Sequence, residues 1–80
     1  MDYQMEKQQA IRNVLQSQEF LDVVKELRDG QLNRIIYSNE DEAKEREKAY
    51  VRVKTIDELM ATLESIAKDG EIKEKAWKIL

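Results

Sequence analysis

The sequence predicts an all-α protein with a single domain over residues 1–80. The predicted architecture is an antiparallel helical hairpin with further helical segments before and after it. Gln, Glu, Lys, Arg, Leu and Ala, which are good helix formers, dominate the chain. Proline, the strongest helix breaker, is absent, and there are only two glycines. Apolar residues recur at intervals of three and four, whereas the strict alternation of a half-buried strand is rare.

The first helix is predicted over residues 3–16, where Ile11, Val14 and Leu15 share one face. Ser17 can accept a hydrogen bond from a backbone N–H and begin a second helix over residues 18–37. We therefore expect a corner at Ser17, with one continuous helix as the alternative. The apolar spacing of the second helix resumes in phase after Gly30, so we expect the helix to continue through this glycine at a cost of about 1 kcal/mol relative to alanine.

The third helix is predicted over residues 40–69. Asn39 and Glu42 have the spacing of a capping box, and Glu42 and Arg46 have the spacing of a helical ion pair. The charged residues 40–48 are expected to project from the core. Further along, six apolar residues recur at spacings of 4, 3, 4, 3 and 4, a pattern typical of a heptad repeat. These residues, which we call the seam, are Ala49, Val53, Ile56, Met60, Leu63 and Ala67. Tyr50, beside the seam, is expected to pack against the second helix.

The pair Asp69-Gly70 predicts the end of the third helix, and a short fourth helix is predicted over residues 71–79. Trp77, the only tryptophan, has two interpretations. It belongs to the core if this segment folds back, which we favour, or it anchors a partner protein, as tryptophan often does at binding hot spots. The seam has two interpretations as well, packing within one chain or between chains. The wide apolar arcs of helices two and three favour self-association, and we expect a homo-oligomeric bundle with coiled-coil packing.

Composition excludes several kinds of chemistry. The chain has no cysteine and no histidine, so it cannot form a disulfide, a thiolate metal site or a histidine-based catalytic triad. We expect no enzyme activity, no cofactor and no metal site. The acidic residues that crowd the start of helix three are expected to be an exposed, self-paired surface; they are Glu40, Asp41, Glu42, Glu45 and Glu47. A domain this short buries only about 60% of its unfolded surface, so association is its most plausible reinforcement.

One basic ridge stands out against the formal net charge of −3. Lys44, Lys48 and Arg52 follow each other at intervals of four on the third helix. Such a ridge can contact phosphates or a partner protein, but the net charge and the interleaved acids disfavour nucleic acid. No apolar run approaches the roughly 18 residues of a membrane span, and the polar, acidic start is unlike a secretory signal. We therefore expect a cytoplasmic protein without a membrane segment.

Several stretches resemble short helical proteins encoded among the head and packaging genes of tailed phages and prophages. AIRNVLQSQEF at residues 10–20 resembles their opening, and EAKEREKAY at 42–50, KTIDEL at 54–59 and LESIAKDG at 63–70 are similar to the rest. The resemblance covers about residues 8–72. Those proteins often have Asp-Pro at the corner where this chain has Ser17-Gln18. The resemblance implies a virion-associated or assembly-associated protein, and it carries no catalytic residues.

Three functional hypotheses follow. The first is a non-enzymatic, self-associating phage or prophage protein that acts in head assembly or DNA packaging, in the host cytoplasm or in the virion, next to a phage structural or packaging protein. The second is a regulatory or adaptor module that binds a protein partner through an amphipathic helix. The third is a nucleic-acid-binding accessory protein that uses Lys44, Lys48 and Arg52.

Overall fold

The computed structural model describes residues 3–69, which form three α-helices and contain no strand. Helix α1 spans Tyr3–Leu15, α2 spans Gln18–Ile36 and α3 spans Ala43–Asp69. The predicted all-α fold is thereby confirmed. The predicted fourth helix, residues 71–79, lies outside the described residues, and so does Trp77.

A corner separates α1 from α2. Ser17 is in an extended conformation, with φ −79° and ψ 114°, and its hydroxyl accepts a hydrogen bond from the backbone N–H of Phe20 at 3.2 Å. The side chain thereby satisfies one of the N–H groups that the first turn of a helix leaves without a partner. The alternative of one continuous helix is wrong. Helix α2 does continue through Gly30, where an added Cβ would meet nothing within 4 Å.

Helix α3 begins at Ala43, so the predicted start at residue 40 is wrong. Asn39 and Glu42 do interact, but in a turn that precedes the helix. The backbone N–H of Asn39 donates to the Glu42 carboxylate at 2.9 Å, and the backbone N–H of Glu42 donates to the Asn39 carbonyl at 3.0 Å. The carbonyl of Glu42 then accepts from the N–H of Arg46 at 3.0 Å, so Glu42 stands at the cap position of α3.

The guanidinium of Arg46 explains why the loop between α2 and α3 stays out of the helix. Instead of pairing with Glu42, it turns back and donates to the Ser38 hydroxyl at 3.1 Å and to the carbonyl oxygens of Asn39 and Glu40. The contact with the Ser38 hydroxyl is partly buried, whereas the contacts with the two carbonyls are exposed to solvent. The loop therefore needs no helical ladder before Ala43.

Helices α2 and α3 pack antiparallel. Arg28 of α2 contacts Asp57 of α3, whereas Gln31, further along α2, contacts Arg52, which is earlier in α3. The two distances are 2.8 Å between Arg28 Nε and Asp57 Oδ1 and 3.4 Å between Arg52 Nη1 and Gln31 Oε1. These contacts place the second half of α2 beside the first half of α3.

Helix α1 crosses the C-terminal end of α3. The side-chain amide of Gln8 donates to the carbonyls of Ala67 and Lys68 at 3.0 and 3.4 Å, and Arg12 Nε donates to the carbonyl of Ala67 at 2.8 Å. The last carbonyls of a helix have no partner within it and carry its negative dipole end, which a cation stabilises. Residues distant in sequence thus cap the end of α3.

The core is small because the molecule is thin. Its principal dimensions are 55 × 30 × 13 Å, so the shortest dimension is less than half of the next one. Within the part of the chain that the structure describes, the buried apolar residues are Ala49, Val53, Ile56 and Ile66. This arrangement leaves much of the apolar surface of α2 and α3 near solvent.

Candidate interaction surface

The first three residues of the seam on α3 are buried, whereas the last three are only partly buried. Ala49, Val53 and Ile56 are 0%, 6% and 9% exposed. The rest of the seam, Met60, Leu63 and Ala67, is half-buried. A straight α-helix drifts by about 20° per heptad away from a seven-residue repeat. The buried side therefore shifts along α3, and near α1 it includes Ile66 rather than only the seam.

Tyr50 lies beside the seam but does not pack as expected. Its side chain is 57% exposed, so the prediction that it packs against α2 is wrong. Tyr50 follows the buried Ala49 by one position, which turns its side chain by about 100° away from the α2 contact.

We distinguish two faces of the α2–α3 pair, one on each side of the line where the helices meet. The closed face carries an ion pair between Arg28 and Asp57. Arg28 Nε lies 2.8 Å from Asp57 Oδ1, and Arg28 Nη2 donates to Asp57 Oδ2 at 3.3 Å. The hydrogen bond from Arg28 holds the pKa of the Asp57 carboxyl below its ordinary value, and the same contact raises the pKa of Arg28. Arg46 precedes Asp57 by eleven residues, three helical turns, and lies on the same face.

The open face contains a shallow groove of about 250 Å³ between the two helices. Leu27, Gln31, Arg52, Thr55 and Ile56 line it. Two more apolar side chains extend the groove, because Val23 lies one turn before Leu27 on α2 and Leu59 lies one turn after Thr55 on α3. The exposed fractions of Leu27, Val23 and Leu59 are 54%, 62% and 51%. The open face is thus an exposed apolar strip along both helices.

Gln31 forms the polar floor of the groove. It is 7% exposed, and its Oε1 accepts the hydrogen bond from Arg52. Within residues 3–69, every buried side-chain nitrogen or oxygen has a hydrogen-bond partner. Gln31 is thus a satisfied polar residue within an apolar helix contact, a position at which a buried asparagine specifies register in coiled coils.

The basic ridge predicted from the sequence adjoins the groove. Lys44, Lys48 and Arg52 share one side of α3 and, with Glu47 and Val51, line an open depression of about 550 Å³. Arg52 belongs to both the depression and the groove. The amine of Lys48 also lies 3.5 Å from the Glu45 carboxylate, an exposed contact between neighbouring turns. Fold and sequence together place the ridge at the end of the open face that lies nearest the α2–α3 loop.

A third depression, of about 310 Å³, lies beside the α2–α3 loop and is lined by Arg34, Tyr37, Ser38, Glu42 and Glu45. Between residues 3 and 69, no three acidic side chains are grouped so that they could hold a metal ion. None of the three helices is long and apolar enough to cross a membrane. The predicted acidic cluster is exposed apart from the half-buried Glu42, which is engaged in the turn before α3.

Sequence reasoning identified the ridge but not the open face. The sequence predicts a wide apolar arc on α2, but it does not separate the residues that contact α3 from those that remain exposed. The only sequence signal was the width of the apolar arc, which exceeds what one neighbouring helix can cover. Which side of that arc stays open depends on how α1 and α2 are arranged around α3.

Comparison with known proteins returned no match to a family model, to a curated protein or to a solved structure.

Proposed function

We propose that this chain is a non-enzymatic, self-associating helical protein. The observation that carries the proposal is the open face, where Val23, Leu27 and Leu59 are all more than half exposed. Exposed apolar strips of this kind, bordered by charged residues, mark surfaces that bind other proteins. The polar and charged residues at its edges give such a surface orientation and specificity.

The small core supports association as well. Burying apolar surface contributes about 25 cal/mol per Å², and a thin layer of three helices buries little of it within one chain. The chain has no cysteine or histidine that could add a disulfide or a zinc site. Contact with another chain would bury the open face and stabilise the fold by mass action.

For the biological setting we propose head assembly or DNA packaging of a tailed phage or prophage, in the host cytoplasm or in the virion. This part rests on the resemblance over about residues 8–72. Neighbouring genes test it directly. Terminase, portal or capsid genes beside this one are expected, and a neighbourhood without any phage gene contradicts the setting while leaving the proposal of self-association intact.

Analytical ultracentrifugation tests self-association itself. At micromolar concentration the sedimentation mass is expected to be a multiple of 9.5 kDa. A single species of 9.5 kDa over the whole concentration range contradicts the proposal, and the open face would then belong to a different partner protein, as the adaptor hypothesis requires.

The basic ridge favours nucleic-acid binding as a second candidate. Its three cations are exposed and lie along one side of α3. Binding to phosphates would weaken steeply with salt, because each contact releases condensed counterions. Titration of duplex DNA at low ionic strength tests this function, and Lys48→Glu is expected to reduce the affinity. Absence of salt-sensitive binding excludes it.

A further inference from the structure

We draw no further inference here: the strongest candidate, the exposed apolar strip of Val23, Leu27 and Leu59 on the open face of α2 and α3, carries nothing because no contact within residues 3–69 shows what covers it.

Discussion

The two faces of the α2–α3 pair differ although the same two helices form them. The closed face is crossed by polar contacts, namely the Arg28–Asp57 ion pair and the bonds from Arg46 to the loop. The open face has three large apolar side chains that are more than half exposed, with a buried polar residue, Gln31, below them. Apolar arcs that are wider than the contact between two helices leave their excess on one side. Polar contacts thus cross one side of the α2–α3 pair, whereas on the other side no residue from 3 to 69 covers Val23, Leu27 and Leu59.

The largest expected effect is on the free energy of unfolding, where a substitution in the core is compared with one on the open face. Ile56 lies between the faces and is 9% exposed, so Ile56→Ala is expected to lower the free energy of unfolding by about 2–4 kcal/mol. Leu27 is 54% exposed, and Leu27→Ala is expected to cost less than about 1 kcal/mol in the monomer, because most of the side chain is already in water. Urea unfolding at a concentration low enough to keep the chain monomeric measures both values. Equal losses would show that the open face is covered within the chain.

The next largest loss of stability is expected for a substitution on the closed face, at Arg46. Arg46 donates to one hydroxyl and two carbonyls of the loop, and hydrogen bonds from a charged donor are stronger than neutral ones. Arg46→Ala is therefore expected to lower the free energy of unfolding by about 1–2 kcal/mol. Arg46→Lys keeps the charge but not the planar fork, and it is expected to recover only part of the loss. Thermal unfolding of the two variants provides the measurement, and full recovery by lysine would show that charge alone matters.

These residues also show what the sequence could predict. The cap at Ser17 and the passage of α2 through Gly30 were predictable, because each depends on residues within a turn or two. The start of α3 was predicted three residues too early. Asn39 and Glu42 have a capping-box spacing, but the Arg46 guanidinium reaches back to the loop carbonyls, and the first helical residue is Ala43. Local spacing does not reveal that competition.

The open face was less predictable for a different reason. Heptad spacing identified the residues of α3 that face a neighbour, and Ala49, Val53 and Ile56 are buried. It could not decide which side of α2 remains exposed, because that depends on the path of α1. Gln8 and Arg12 fix this path by bonding to the carbonyl of Ala67, more than fifty residues away in the sequence. Such contacts leave no periodic signal.

A substitution at Gly30 tests whether this part of the open face is uncovered in the monomer. Gly30→Ala is expected to raise the free energy of unfolding of the monomer by about 1 kcal/mol, because alanine is the better helix former and its methyl meets nothing within 4 Å. Association is not expected to strengthen with it, since the added methyl lies where a second copy would approach. Urea unfolding gives the first value and sedimentation the second. A destabilised monomer would mean that another part of the chain covers this position.

The smallest expected effect is the pH dependence of the closed face. Because the pKa of Asp57 is lowered in the folded chain, the ionised carboxylate stabilises the fold at any pH above its ordinary value of about 3.9. That contribution is lost as the pH falls from this value through the lowered one. The difference in melting temperature between the wild type and Asp57→Asn is therefore expected at neutral pH and not in strong acid. The difference is small and weakens with salt, because the Arg28 and Asp57 side chains are 40% and 46% exposed.

The control is Asp41→Asn, which removes an exposed carboxylate in the loop and is expected to show no such difference. A difference for Asp57→Asn that is independent of pH would mean that shape, rather than charge, holds the closed face together.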